Sequence, residues 1–148
     1  MTPRAALLFF LAGCAHPAAS PTAMPVTLDA MAADSIAHAM VQRALEADAK
    51  GVTPDSLYLS EAEVIANGAP RAEAPRLAGV GEHGTVQLGS SRFGVTGSYV
   101  WGTIQYRWVP GTPQQKMIDG WATFVIGRLR SGEWRIMHVH SSTASPES

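Results

Sequence analysis

The strongest constraint on this chain is a change of hydrophobic period near residue 84. Before it, apolar residues recur at helical spacing. Ile36, Met40 and Ala44 form one row and Ala37, Val41 and Leu45 the adjacent one, giving a single apolar stripe within residues 27–50. After it the period drops to two. Residues 85–96, 99–109, 117–130 and 133–142 read as four long strands, the first bent at Gly89. They are joined at Gly97-Ser98, at Pro110-Gly111-Thr112-Pro113 and at Ser131-Gly132. Helices followed by a meander predict an α+β domain, with the helices laid on one face of an antiparallel sheet.

Smaller elements fill the middle. Thr27 suits the N-cap of the long helix, Lys50 its C-terminal dipole and Gly51 the C′ position. Thr53-Pro54-Asp55 predicts a short helix ending near Tyr58-Leu59, and residues 63–66 a short strand closed by Asn67-Gly68. Residues 72–79, broken by Pro75, read as a short irregular helix. A chain of 148 residues that is 46% hydrophobic has enough apolar material for one core. A net charge of −1 argues against a nucleic-acid partner bound by bulk positive charge. Opposite charges face each other across the period change: residues 27–84 carry nine acids and four bases, residues 85–142 two acids and six bases.

The N-terminus is an address. Arg4 precedes the apolar stretch Ala5-Ala6-Leu7-Leu8-Phe9-Phe10-Leu11-Ala12, which is too short to span a bilayer and reads as a secretory signal. Leu11-Ala12-Gly13-Cys14 resembles the lipobox of bacterial lipoproteins, in which the cysteine thiol carries the lipid and becomes the mature N-terminus. Cys14 is the single cysteine of the sequence, so neither an internal disulfide nor a cysteine-cluster zinc site is expected. The organisation implied is a signal over residues 1–13, a Pro/Ala/Ser tether over 14–26, a domain over 27–143 and a tail over 144–148. The protein is expected in the bacterial cell envelope, facing the periplasm, on the outer membrane. Membrane contact is expected through the lipid anchor alone.

The hairpin Gly120-Trp121-Ala122-Thr123-Phe124-Val125-Ile126 with Gly132-Glu133-Trp134-Arg135-Ile136-Met137-His138-Val139-His140-Ser141-Ser142 resembles the nuclear transport factor 2-like superfamily, in particular its SnoaL-like and ketosteroid-isomerase-like members. The association domain of calmodulin-dependent kinase II belongs to the same group. Asp55-Ser56-Leu57-Tyr58 and Val64-Ile65-Ala66-Asn67-Gly68 fit its earlier segments more loosely. The resemblance covers about residues 27–143. It implies a cone: a strongly curved sheet wrapped around helices, a pocket inside, and dimerisation through the outer sheet face. It does not imply one function, because members include isomerases, dehydratases, transport factors and assembly modules.

The residues must decide the chemistry. An isomerase of this type uses a pocket carboxylate, yet the sheet-forming half holds only Asp119 and Glu133. Asp119 stands near a strand start and is a catalytic candidate; Asp55, Glu61 and Glu63 lie near the helix–strand junction and its mouth. His138 and His140 alternate with Val139, so both side chains share one face roughly 7 Å apart. They are candidates for a general base, for pocket hydrogen bonding, or for a metal if His83, His38 or Asp119 supplied a third ligand. The reading adopted is no metal and no cofactor.

Tyr99, Trp101 and Thr103 share one face of a strand, and Ile104, Tyr106 and Trp108 the other. Such aromatic residues serve a core, a dimer interface or an apolar pocket. Tyr58, Tyr106, Trp108, His138 and His140 are the expected ligand contacts, with Arg76 the expected partner for a carboxylate or phosphate; Arg92 and Arg107 are alternatives on the rim. The expected function is binding of a small apolar or amphipathic molecule, as a homodimer and without catalysis. The alternatives are an isomerase, dehydratase or hydrolase using a pocket histidine, and an assembly module with a vestigial pocket.

Overall fold

The computed structural model describes residues 30–144. The signal, Cys14, the tether, the Thr27 cap and residues 145–148 lie outside them. The described chain runs α1 (Ala30–Asp48), β1 (Tyr58–Ala66), β2 (Ala69–Pro70), β3 (Gly84–Thr96), β4 (Tyr99–Pro110), β5 (Ile118–Arg128) and β6 (Trp134–Thr143). The sheet order is β2-β1-β6-β5-β4-β3. This is the α+β cone expected, with the sheet curled but unclosed and α1 packed on it. Two details differ. Among the described residues there is one helix rather than several, and the sheet is mixed because β1 lies parallel to β6.

The helix forms where its stripe can be buried. Ala33, Ala37, Val41 and Leu45 form one row at steps of four, Met40, Ala44 and Asp48 the adjacent one, and all are buried. The alanines let α1 lie close against β3 and β4. Its end is a Schellman motif: Val52 N–H donates to the Ala47 carbonyl and Gly51 N–H to that of Asp48, with Gly51 at φ 65°.

Neither short helix forms. After Pro54 there is a single turn, with Leu57 N–H bonded to the Pro54 carbonyl, and buried Leu57 leads straight into β1. Residues 71–83 form an irregular strap. Pro70 and Pro75 have no N–H for a helical ladder, and Gly79 turns the chain at φ 69°. Strand β1 begins five residues before the expected one, because its register with β6 shifts between Tyr58 and Glu63 and spoils the alternation. The expected bend in β3 is a register shift between Leu88 and Ser91.

The inner face is set by β4, where Val100, Gly102, Ile104, Tyr106 and Trp108 are buried and the residues between them are not. Phe124 and Ile126 of β5, with Ile136 and Val139 of β6, complete the core with α1. Each large aliphatic or aromatic side chain buried here contributes about 1.5–3 kcal/mol. Two glycines make room for aromatic rings: Gly120 lies under the ring of Tyr106, its cross-strand partner, and Gly84 under the indole of Trp108.

Candidate functional site

At the β1 end of the cone a cleft of about 590 Å³ opens between the first half of β1 and the strap. Its walls include Asp55, Tyr58, Leu59, Ala62, Arg71 and Arg76. Tyr58 pairs with Ile136 of β6, and Leu59 follows it into the stretch where the β1–β6 register shifts before Glu63. The guanidinium of Arg76 lies over the Tyr58 ring, with Cζ 4.6 Å from its centroid, a cation–π contact. Arg71 brings a second positive charge and Asp55 one negative charge, both exposed, which leaves the walls net positive, while Leu59 and Ala62 offer apolar wall. The chemistry on offer is capture of an anionic group with an apolar body.

Besides the Ala74 N–H bond to Thr53 Oγ1 and the Arg71 N–H bond to the Val64 carbonyl, four contacts from buried side chains hold the strap. Asp48 Oδ2 accepts the N–H groups of Arg76 and Leu77, each at 2.6 Å. Tyr106 donates its hydroxyl to the Ala78 carbonyl at 2.6 Å, and Ser141 Oγ accepts the Ala78 N–H at 2.9 Å. Asp48 is fully buried, and burial pushes its carboxyl up to about 6, against the pull of the two N–H groups and of Arg76. Asp48 Oδ1, the Tyr58 hydroxyl and Arg76 Nε are buried without a hydrogen-bonding partner among the described residues. Burial, with the nearby Asp48 charge, pushes the Tyr58 hydroxyl above the ordinary tyrosine range.

Of the residues singled out in the sequence, Asp55, Tyr58 and Arg76 meet at this cleft. Tyr106 and Trp108 are core residues on the inner face and do not line it. His138 and His140 do share a face, but it is the outer one, beside Val125 and Thr123 of β5 and Glu63 and Ile65 of β1. His138 Nδ1 stands 3.4 Å from Glu63, and His140 is exposed. Asp119 also faces outward, clamped by Arg107 at 2.7 and 3.0 Å; that bond holds its carboxyl below the ordinary range. His38 bonds Ser91 at 2.8 Å, and His83 lies in the loop before β3 beside Glu82. Among the described residues no three His, Cys, Asp or Glu side chains are grouped as metal ligands would be. Arg92 lies apart from the cleft, in a shallow groove with Ser90, Thr103 and Trp121.

Asp48 and Arg71 were not singled out. Asp48 had a readable signal, since it continues the row Ile36, Met40, Ala44 and so places an acid on the buried stripe. Arg71 follows the β1–β2 hairpin, its N–H bonded to the Val64 carbonyl, so the Asn67-Gly68 turn was the signal that could have placed it.

Solved structures share this fold. A nuclear transport factor 2-like superfamily protein from Salmonella enterica serovar Typhimurium superposes with a TM-score of 0.61 at 17% identity, covering 81% of this chain and 96% of that one. A candidate ketosteroid isomerase from Shewanella frigidimarina gives 0.54 at 20% identity, covering 74% and 97%. A candidate calcium/calmodulin-dependent protein kinase II association domain from Xanthomonas campestris gives 0.50 at 20%, covering 90% and 100%. No protein-family model and no curated protein matches the sequence. At these identities the likeness establishes the fold alone.

Proposed function

We propose that this nuclear transport factor 2-like domain binds a small amphipathic anion in the cleft between β1 and the strap, without catalysing a reaction on it. The observation that carries this reading is the Arg76 guanidinium stacked on Tyr58 at the cleft wall, with a buried Nε that no described residue engages. Arg71 adds charge, and Leu59 and Ala62 suit an apolar body. The test is calorimetric titration with naphthalene-2-sulfonate, an anionic head on a rigid apolar body. Binding that falls at least about tenfold in Arg76→Gln, with the circular dichroism spectrum unchanged, is expected; equal binding by both proteins would sink the reading.

A general base drawn from His138 or His140 has less support, because both stand on the outer sheet face. The assembly role is retained in part. Tyr99, Trp101 and Trp121 leave an exposed aromatic strip on the outer face, 47%, 51% and 46% exposed, which suits a homodimer. Together with the signal and Cys14, the whole is proposed as a lipid-anchored, periplasm-facing binding protein that works as a dimer.

A further inference from the structure

The charge balance of the cleft depends on a carboxylate behind it. Asp48 has no exposed surface and holds the strap by the N–H groups of Arg76 and Leu77. One of those two residues, Arg76, also lines the cleft with its guanidinium. The same residue is therefore tied to a buried negative charge at its backbone and turned toward a solvent-accessible site at its side chain. The charged and titratable groups that act with Asp48 are Arg76 on the strap, Tyr58 on β1 and Tyr106 on β4. Both tyrosines are pushed by burial above their ordinary range and stay neutral. Asp48, raised to about 6, is the member of this set that changes charge near neutral pH.

We propose that anion capture in the cleft is coupled to protonation of Asp48: the ionised carboxylate offsets the Arg76 guanidinium, and the neutral carboxyl leaves that positive charge to the ligand. The proposal rests on the anion-binding reading above and adds its regulation. The proton comes from solvent and settles on Oδ1, the oxygen without a partner, while Oδ2 keeps its two N–H bonds. Linkage makes the effect reciprocal. A bound anion puts a second negative charge near Asp48 and raises its proton affinity, so binding takes up a proton.

Titration of the full chain with naphthalene-2-sulfonate tests this, since the sulfonate stays ionised throughout. Affinity is expected to rise about tenfold from pH 8 to pH 5. Near pH 7, buffers of different ionisation enthalpy should report fractional proton uptake. Asp48→Asn should bind at both pH values with the wild-type affinity of pH 5 and take up no proton. A flat wild-type profile overturns the coupling, as does a slope that Asp48→Asn retains, which would belong to the histidines. If Asp48→Asn does not fold, the Asp48 carboxyl is followed by carbon-13 NMR in the wild type. The midpoint must move up when the probe is added, and a fixed midpoint overturns the coupling. Absence of binding at every pH overturns the anion cleft itself.

Discussion

Replacing Asp48 by Asn should stabilise the domain at neutral pH. The carboxyl is raised from 3.8 to about 6, which amounts to a cost of about 3 kcal/mol for keeping it ionised at pH 7 in the folded state. Asparagine has the same shape. Its amide oxygen can accept the Arg76 and Leu77 N–H groups as Oδ2 does, while its NH2 takes the place of Oδ1 and remains without a partner. That unpaired amide costs about 1–2 kcal/mol, so the net gain is about 1–2 kcal/mol at pH 7.5. The sign with pH follows from a raised pKa. The wild-type carboxyl contributes most below about pH 4 and loses that contribution as pH rises through 6. The difference between variant and wild type in urea denaturation should therefore be largest at pH 7.5 and vanish or reverse at pH 4. A variant less stable than the wild type by the same amount at both pH values would refute the reasoning. It would mean that the ionised carboxylate is a net stabilising clamp on the strap.

Other outcomes follow from single contacts. Tyr106→Phe removes the donor to the Ala78 carbonyl and should cost about 1–3 kcal/mol, read as a lower urea midpoint with an unchanged slope. Gly102→Leu faces inward against the Arg92 carbonyl and the Phe93 ring, so it should destabilise by about 3 kcal/mol or more in thermal melts rather than occupy free space. Trp101→Glu should convert a dimer to a monomer in sedimentation velocity; an unchanged dimer would move the interface elsewhere. Cys14→Ser should shift the protein from the membrane to the soluble fraction, and continued membrane fractionation would remove the lipid anchor from the proposal.

The meander was legible because period-two alternation is a local pattern. Residues 100, 102, 104, 106 and 108 alternate in the sequence and in the burial of β4 alike. The same alternation placed His138 and His140 on one face but could not say which. That choice depends on where α1 lies, and the packing of Phe124 and Val139 against it turns the histidines outward. The strap was illegible for a different reason. Residues 71–83 have no repeating pattern, and their path is fixed by Asp48, Thr53, Tyr106 and Ser141, polar side chains from separate parts of the chain. Arg76 inherits its position from those contacts, while Arg71 is placed by the β1–β2 hairpin through its N–H bond to the Val64 carbonyl, so the cleft as a whole is a tertiary property. Asp48 itself stood in plain view on the helical stripe.

The place of β6 in the sheet also sets an order of assembly. The last strand among the described residues lies between β1 and β5, and the side chain of Ser141 reaches back 76 residues to the Ile65 carbonyl. Until β6 is in place, β1 has no neighbour but the two-residue β2, and the strap loses its Ser141 anchor. The early strand must wait for the late one, a non-local pairing of the kind that slows folding. A molecule cut short before Trp134 would therefore keep the sequence of the cleft and lack the scaffold that gives it shape.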